Sequence, residues 1–259
     1  ARMTGESGFA KEPTGAQAQL LHALVMRDLG CALRNRTVLM TIITVLGFCA
    51  LMMPQFVGSA DDLPSMEAFG CVLVSLFPVL EVGGTIMLFA MAEERAHGTH
   101  EVMARAGVTL PLLVASKLIA GIVLCVVISL AAAVLSGLHN ANLLEFAAVV
   151  AVGSVPFLLL AVGGGLLSRE EMRVNAFSFA LVLLCIAPLL SALVPVAGTV
   201  SMACPVAFLA GFGTEMLGGS VESLHMSLWP SVVNLAAWTV LSVLWLRWCI
   251  RRAQTQERA

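Results

Sequence analysis

The chain has 259 residues, of which 59% are hydrophobic and 12% are charged, and its mean hydropathy is +0.95. Globular domains carry about 25% charged residues, so this chain has more apolar surface than a water-soluble core of its size can bury. The net charge of −2, with no basic cluster that alternates with aromatic residues, argues against nucleic acid as a partner. The composition therefore predicts an integral membrane protein.

The first predicted element is a helix over residues 17–36, after a polar tail over residues 1–16 that lacks the pattern of a removable signal peptide. Its apolar residues recur at helical spacing and are Leu20, Leu21, Leu24, Val25, Leu29, Ala32 and Leu33. Such an amphipathic helix lies along lipid headgroups, with Arg27, Arg34 and Arg36 toward phosphate. A plain membrane anchor and a contact surface for a cytoplasmic partner both fit this pattern.

Six apolar segments are long enough to cross a membrane, because a helical span needs about 20 apolar residues. They cover residues 37–53, 69–92, 110–133, 143–167, 174–196 and 228–246. A further apolar run, residues 200–212, contains Pro205 and Gly211 and is too short to cross. We expect a re-entrant or surface-lying short helix there, within an outer segment over residues 197–227. The predicted fold is all-α, with a six-helix transmembrane domain over residues 37–246 and a basic tail over residues 247–259.

Lysine and arginine lie at one end of these predicted spans only. The connections 54–68, 136–142 and 197–227 contain neither residue, whereas the opposite ends carry Arg27, Arg34, Arg36, Arg95, Arg105, Arg169, Arg173, Arg247, Arg251 and Arg252. Basic residues concentrate in cytoplasmic connections, so the pattern predicts that both termini are cytoplasmic.

One ionisable side chain, Glu81, lies deep in a predicted span. A charge at mid-membrane costs about 2.5–3.5 kcal/mol on the insertion scale, so Glu81 is expected to face the bundle interior or water. Pro78, Gly83 and Gly84 predict a bent, cavity-lining helix around it. Two interpretations remain open: a polar group on a substrate path, or a hydrogen bond to Asn234, Ser129 or Ser154.

Helix breakers also mark the fourth and fifth spans, at Pro156, Pro188, Pro195 and the glycine run 163–165. Close helix packing and hinges for movement both fit these residues. The seven cysteines are scattered singly and are expected to pack as small apolar side chains.

A charged segment over residues 93–109 connects the second and third spans. It contains a predicted short helix over residues 102–106, which Thr99 is suited to cap and whose dipole favours Glu101. Gly107 and Pro111 end this helix. The compact element suits a membrane protein that receives a push from a soluble partner, and an ordinary solvated loop fits the same residues.

This segment resembles the cytoplasmic loop of the permeases of type-2 ABC exporters. The shared pattern is E-R-x-x-G-T-x-E, a short apolar helix, a Val-Ser or Val-Thr pair and a lysine at the start of the next span. In this chain the matching residues are Glu94, Arg95, Gly98, Thr99, Glu101, Val108, Thr109 and Lys117. The amphipathic helix, the six spans and the long outer segment are also similar. Where the family usually has Pro-Val-Ser-Arg, this chain has Gly-Val-Thr-Leu at residues 107–110.

The resemblance implies that the amphipathic helix and the loop contact a separate ATP-hydrolysing subunit, which would hold ATP and Mg²⁺. The implied coupling residues are Glu93, Glu94, Arg95, Gly98, Thr99, Glu101 and Arg105. It also implies a second permease, either another copy or a related chain, within the lipid of a prokaryotic cytoplasmic membrane.

The chain carries no catalytic motif of its own. Neither of its lysines, Lys11 and Lys117, follows glycine and precedes Ser or Thr as a P-loop requires. No G-x-S-x-G or H-E-x-x-H sequence is present. His97 and His100 fit a solvated loop or, less simply, a metal site.

The expected function is that of a non-enzymatic permease subunit that exports an amphipathic or hydrophobic substrate, such as a drug, lipid or peptide. Two rival hypotheses remain. An ion-coupled secondary transporter would carry several intramembrane acids or matching broken helices in its two halves. A membrane scaffold would recruit a cytoplasmic partner without transporting anything.

Overall fold

A computed structural model of the chain describes residues 14–57, 64–138, 142–168 and 170–258. All regular elements within these ranges are helices. Six helical stretches there are long and apolar enough to cross a membrane. This is the architecture of a multi-pass membrane protein, as the composition predicts.

The first half of the chain holds an N-terminal helix and three of the six apolar stretches. Its elements are α1 (Thr14–Arg34), α2 (Arg36–Val57), α3 (Pro64–Glu81), a π-helical turn (Val82–Met87), α4 (Leu88–Ala96), α5 (Thr99–Arg105) and α6 (Leu110–Leu135). The stretch from α3 through α4 forms one long span, Ser65–Ala96.

The second half holds the remaining three apolar stretches. Its elements are α7 (Leu143–Gly153), α8 (Val155–Leu167), α9 (Glu171–Leu190), α10 (Pro195–Ser201), α11 (Ala207–Met216), a 3₁₀ turn (Glu222–Leu224) and α12 (Leu228–Arg258). The predicted basic tail therefore continues α12 as helix.

The second span, in which the sequence predicts a bent helix, contains the π-helical turn. The turn begins directly after Glu81, and the Leu88 N–H donates to the Gly83 carbonyl five residues back. A methyl group at Gly83 would lie 2.6 Å from the ring of Phe157 on α8. This glycine therefore lets the widened turn pack against α8 at close range.

The fourth and fifth spans differ from the single helices predicted over residues 143–167 and 174–196. The fourth is interrupted at Ser154, directly before the turn that contains Pro156. The fifth ends at Leu190, and Val194 is extended (φ −133°, ψ 112°) before Pro195 opens α10. Proline explains the two breaks in different ways. Pro156 has no N–H to donate to the Val152 carbonyl, and the ring of Pro195 disfavours helical backbone at Val194.

The apolar run 200–212 is not one helix. It covers the end of α10, a turn with Pro205, and the first residues of α11. Helix α11 packs against α3, α7 and α12 and buries Leu209, Ala210 and Gly213. A methyl group at Gly213 would lie 2.7 Å from the Cβ of Ser75, which shows how closely α11 approaches α3.

Three consecutive glycines let α8 pack closely against three other helices. A methyl group at Gly163 would lie 2.6 Å from Nε1 of Trp245 on α12, and one at Gly165 would lie 2.6 Å from the Leu88 carbonyl oxygen on α4. One at Gly164 would overlap the ring of Phe177 on α9. Successive helical residues point about 100° apart, so each glycine admits a different neighbour.

These contacts place the ends of α4, α8 and α12 and the start of α9 at one face of the bundle. We call it the arginine-rich face, because several arginines lie within a few residues of the positions that contact the α8 glycines. The described ones are Arg95, Arg173, Arg247, Arg251 and Arg252. Arg2, Lys11 and Arg169 lie outside the described residues. The ends of the second, fourth and sixth spans therefore lie beside the start of the fifth span, as the predicted alternation of span directions requires.

Candidate functional site

Helix α1 packs against α6 along a line of residues spaced four apart: Leu24, Asp28 and Ala32 are buried. The predicted apolar stripe is only partly correct, because Leu33 is 56% exposed and an acidic residue lies at the centre of the buried line. The buried face of α1 is therefore directed to the protein itself at this line, and Asp28 must find partners there.

Asp28 belongs to a closed ring of four charged side chains, Arg27, Asp28, Glu94 and Lys117, which we call the charge ring. Nη2 of Arg27 lies 2.7 Å from Oδ1 of Asp28 and 3.0 Å from Oε1 of Glu94. Nζ of Lys117 lies 3.1 Å from the same Asp28 oxygen and 2.9 Å from the same Glu94 oxygen. Each cation therefore bridges both anions.

Neighbouring polar groups extend the charge ring. Ser116 donates through Oγ to Oδ2 of Asp28 at 2.8 Å. Nη1 of Arg27 lies 3.1 Å from Sδ of Met103 on α5. The charge ring and these two contacts connect four helices: α1, the end of α4, α5 and the first turns of α6.

The alternation of charges explains how the site tolerates burial. The side chains of Asp28 and Lys117 are 2% and 6% exposed, and Glu94 is 17% exposed. A buried ion is costly unless it is paired and hydrogen-bonded, and two cations with two anions give no net charge. Oε2 of Glu94 is buried without a hydrogen-bond partner among the described residues.

A cavity of about 460 Å³ opens beside the charge ring. Besides ring residues, its lining includes Cys31, Asn35, Glu93, His97 and Thr99. The cavity thus joins the start of the second helix to the connection between the second and third spans. The rest of its lining is apolar and includes Val38, Ile86 and Met87, so charged and apolar side chains meet in this cavity.

The predicted loop between these spans is a short helix entered through a left-handed residue. Helix α5 covers Thr99–Arg105 in place of the predicted residues 102–106. Gly98 has φ +64° and stands at the N-cap, so the expectation that Thr99 caps the helix is wrong. A left-handed N-cap favours glycine, since other residues are strained there.

The other predicted coupling residues occupy different environments. Glu93 and Arg105 are exposed, and Arg95 is buried (5% exposed). The main-chain carbonyl of Glu93 lies 2.9 Å from Nδ1 of His97. The side chains of Glu101 and His100 lie outside the described residues.

Arg34 and Arg36 are exposed and lie outside the charge ring. They flank Asn35, whose Oδ1 accepts from the Thr37 N–H at 2.9 Å and caps the start of α2. Of the three arginines assigned to the interface helix, the structure brings only Arg27 to the predicted coupling residues.

Glu81 is partly buried, and Oγ1 of Thr85 donates to its Oε2 at 3.2 Å across the π-helical turn. Thr85 is not among the three partners expected from the sequence. Asn234 donates to the Cys204 carbonyl at 2.6 Å, and Ser154 donates to the Ala151 carbonyl at 3.3 Å. Within the described residues, no group of three His, Cys, Asp or Glu side chains is placed to hold a metal ion.

Sequence reasoning missed Asp28, Ser116 and Met103. Asp28 carries one weak signal, since it is the acid in a helix whose other charged residues are arginines. Its burial could not be inferred, because its partner Lys117 lies 89 positions further along the chain.

The fold and this site define a polytopic helical membrane protein with a buried ionic joint at its arginine-rich face. Neither a protein-family model nor a curated protein sequence matches the chain.

Proposed function

We propose that the chain is the membrane-spanning permease subunit of an ATP-driven exporter of the type-2 ABC class, in the cytoplasmic membrane of a prokaryote. A separate ATPase subunit would hold ATP and Mg²⁺, and a second permease, identical or related, would complete the pathway. The arginine-rich face would be cytoplasmic, with both termini on that side. The substrate would be amphipathic or hydrophobic.

The charge ring is the observation that carries this proposal. It ties α1 and the α4–α5 connection to the first turns of α6, so these elements form one unit at the end of three helices. A permease driven by a soluble partner needs such a unit, because force applied to a loose loop would not tilt a span. Cations and anions in direct contact resist separation better in a buried site than at a solvated surface.

Exposed Arg105 on α5 is the residue for testing the partner contact without disturbing the ring. We expect Arg105→Glu to reduce co-purification with the separate ATPase subunit that the proposal requires, and to reduce ATP-dependent export equally. Glu145→Lys is the matched control, because Glu145 is exposed in the first turn of α7, at the opposite end of its span from the arginine-rich face.

Reconstituted vesicles distinguish the rival functions. The proposal predicts transport only when the ATPase subunit and ATP are both present. Transport by the purified chain alone, driven by an ion gradient, would replace it with a secondary transporter. Association with a soluble partner, without transport under either condition, would make the chain a scaffold.

A further inference from the structure

A second cavity, of about 540 Å³, lies at the arginine-rich face on another side of the bundle. It is formed where α8 ends, α9 begins and α12 approaches its C-terminal part. Two arginines from different helices, Arg173 and Arg252, line it together with Ser168. The rest of its lining is apolar or aromatic and includes Phe177, Ala180 and Trp248.

Aromatic rings pack beside this cavity. Phe177 stacks on Trp245 with ring centroids 6.2 Å apart, and Trp245 lies 5.3 Å from Trp248. The guanidinium carbon of Arg252 lies 5.2 Å from the centre of the Trp248 ring. Tryptophans concentrate at the level of lipid headgroups, and a cation over an indole ring is held in place by the ring's electron density.

The charges around the cavity favour an anion. Oε2 of Glu170 lies 3.1 Å from Nε of Arg173, which leaves the two terminal nitrogens of that guanidinium for another partner. Ser168 donates to the Gly164 carbonyl at 2.9 Å and can still accept. Two arginines and one glutamate give the described charged residues at the cavity a formal charge of +1.

The apolar side of the cavity continues along α9. Ala176 and Ala180 are exposed residues of this span and stand four apart, so they share one face of the helix. Only 22% of the most apolar window of α9 is buried inside the protein. An acyl chain in the membrane therefore has a surface to follow directly from the arginines.

We propose that this cavity binds an anionic phospholipid, with its phosphate between Arg173 and Arg252 and one acyl chain along Ala176, Phe177 and Ala180. Arginines contact phosphate with paired N–H donors, and basic pockets at the cytoplasmic ends of spans recognise anionic headgroups. This site needs the membrane and the proposed orientation, but it does not depend on the proposed export function.

Trp248 provides a direct measurement. The purified full-length chain would be placed in phosphatidylcholine vesicles that contain either brominated phosphatidylglycerol or brominated phosphatidylcholine, because bromine quenches nearby tryptophan fluorescence. We expect stronger quenching by the anionic lipid, and we expect Trp248→Phe to remove most of that difference. Equal quenching by the two lipids would overturn the proposal.

Substitution of the arginines tests the assignment of the phosphate. Each arginine near an anionic headgroup contributes about fivefold in affinity, so Arg173→Gln and Arg252→Gln should each weaken the preference for phosphatidylglycerol by about that factor. Arg251→Gln is the matched control, since Arg251 is the exposed neighbour of Arg252 and does not line the cavity. If Arg251→Gln weakened the preference for phosphatidylglycerol equally, the preference would come from general surface charge, which would contradict a defined site.

Two further experiments distinguish binding of a phospholipid from binding of a soluble phosphate compound. Ala180→Phe fills the apolar part without removing a charge and should also weaken the preference. Displacement of brominated phosphatidylglycerol by millimolar soluble glycerol phosphate would identify a free phosphate compound as the ligand and overturn the lipid assignment.

Discussion

At the scale of single residues, two oxygen atoms hold the charge ring together. Oδ1 of Asp28 and Oε1 of Glu94 each accept from both Arg27 and Lys117, so removal of one cation leaves two anions that share the other. The mutual dependence of these four side chains makes their substitutions non-additive.

We predict that Lys117→Met and Asp28→Asn each lower the free energy of unfolding by about 3 kcal/mol, because each leaves an uncompensated buried charge. The double variant should lose less than the sum, since it retains the balanced pair of Arg27 and Glu94, 3.0 Å apart. Denaturant titration of the purified protein in detergent measures all three values. Arg34→Met, which removes an exposed charge from the same helix, is the control; strictly additive losses would show that the ring does not act as a unit.

Glu81 and Thr85 form the second residue-scale test. Glu81→Gln replaces an ionisable side chain, which is costly deep in a span, with a neutral one of the same shape, so stability should be unchanged or higher. If Glu81 lies on the substrate path, efflux should fall at normal expression. Thr85→Val removes the hydrogen-bond donor and keeps the carboxylate, so it should affect efflux less. Unchanged efflux in the Glu81→Gln variant would contradict the interpretation that Glu81 lies on the substrate path.

At the scale of elements, the glycines of α8 set how closely the helices approach. We predict that Gly165→Ala destabilises the protein by about 1–3 kcal/mol, because the new methyl group meets the Leu88 carbonyl, which is backbone and cannot swing aside. Gly84→Ala is the control: its methyl group would lie 3.8 Å from Phe157, an ordinary contact. Thermal unfolding in detergent compares the two variants, and equal stability would show that α8 can move away from α4 at little cost.

The elements were predictable to different degrees. The six spans follow from length and hydropathy, which are local properties. The observed bounds differ most at the ends of the fifth span, which stops at Leu190, and of the sixth span, which continues to Thr255. The charge ring was not predictable as a unit, because Arg27 and Glu94 are 67 positions apart and helical periodicity carries no information on which helices meet. The glycine run signals close packing, yet the sequence could not show that each glycine faces a different helix.

At the scale of the whole molecule, Cys31 reports the orientation of the bundle. Of the seven cysteines, all of which are described, Cys31 is exposed and the other six are buried. Burial also raises the pKa of the Cys204 thiol to about 11, so this thiol stays protonated near neutral pH and reacts slowly.

We therefore predict that a membrane-impermeant maleimide labels Cys31 in inverted membrane vesicles and fails to label it in intact cells. Cys31→Ser should abolish the signal, which identifies the labelled residue. Mass spectrometry of the labelled protein measures the position and extent. Labelling of Cys31 in intact cells would place the arginine-rich face outside and contradict the proposed topology.

The π-helical turn in the second span holds one residue more than a regular turn, and it separates the carboxylate of Glu81 from that of Glu94. In an uninterrupted helix, loss of one residue rotates everything beyond it by about 100° and turns its packed side away from its neighbours. Loss of one residue from Val82–Met87 would instead restore a regular helix, with the carboxylate of Glu94 still facing Arg27 and Lys117. The second span is thus a stretch in which a single-codon deletion should preserve the interhelical contacts that lie outside the turn.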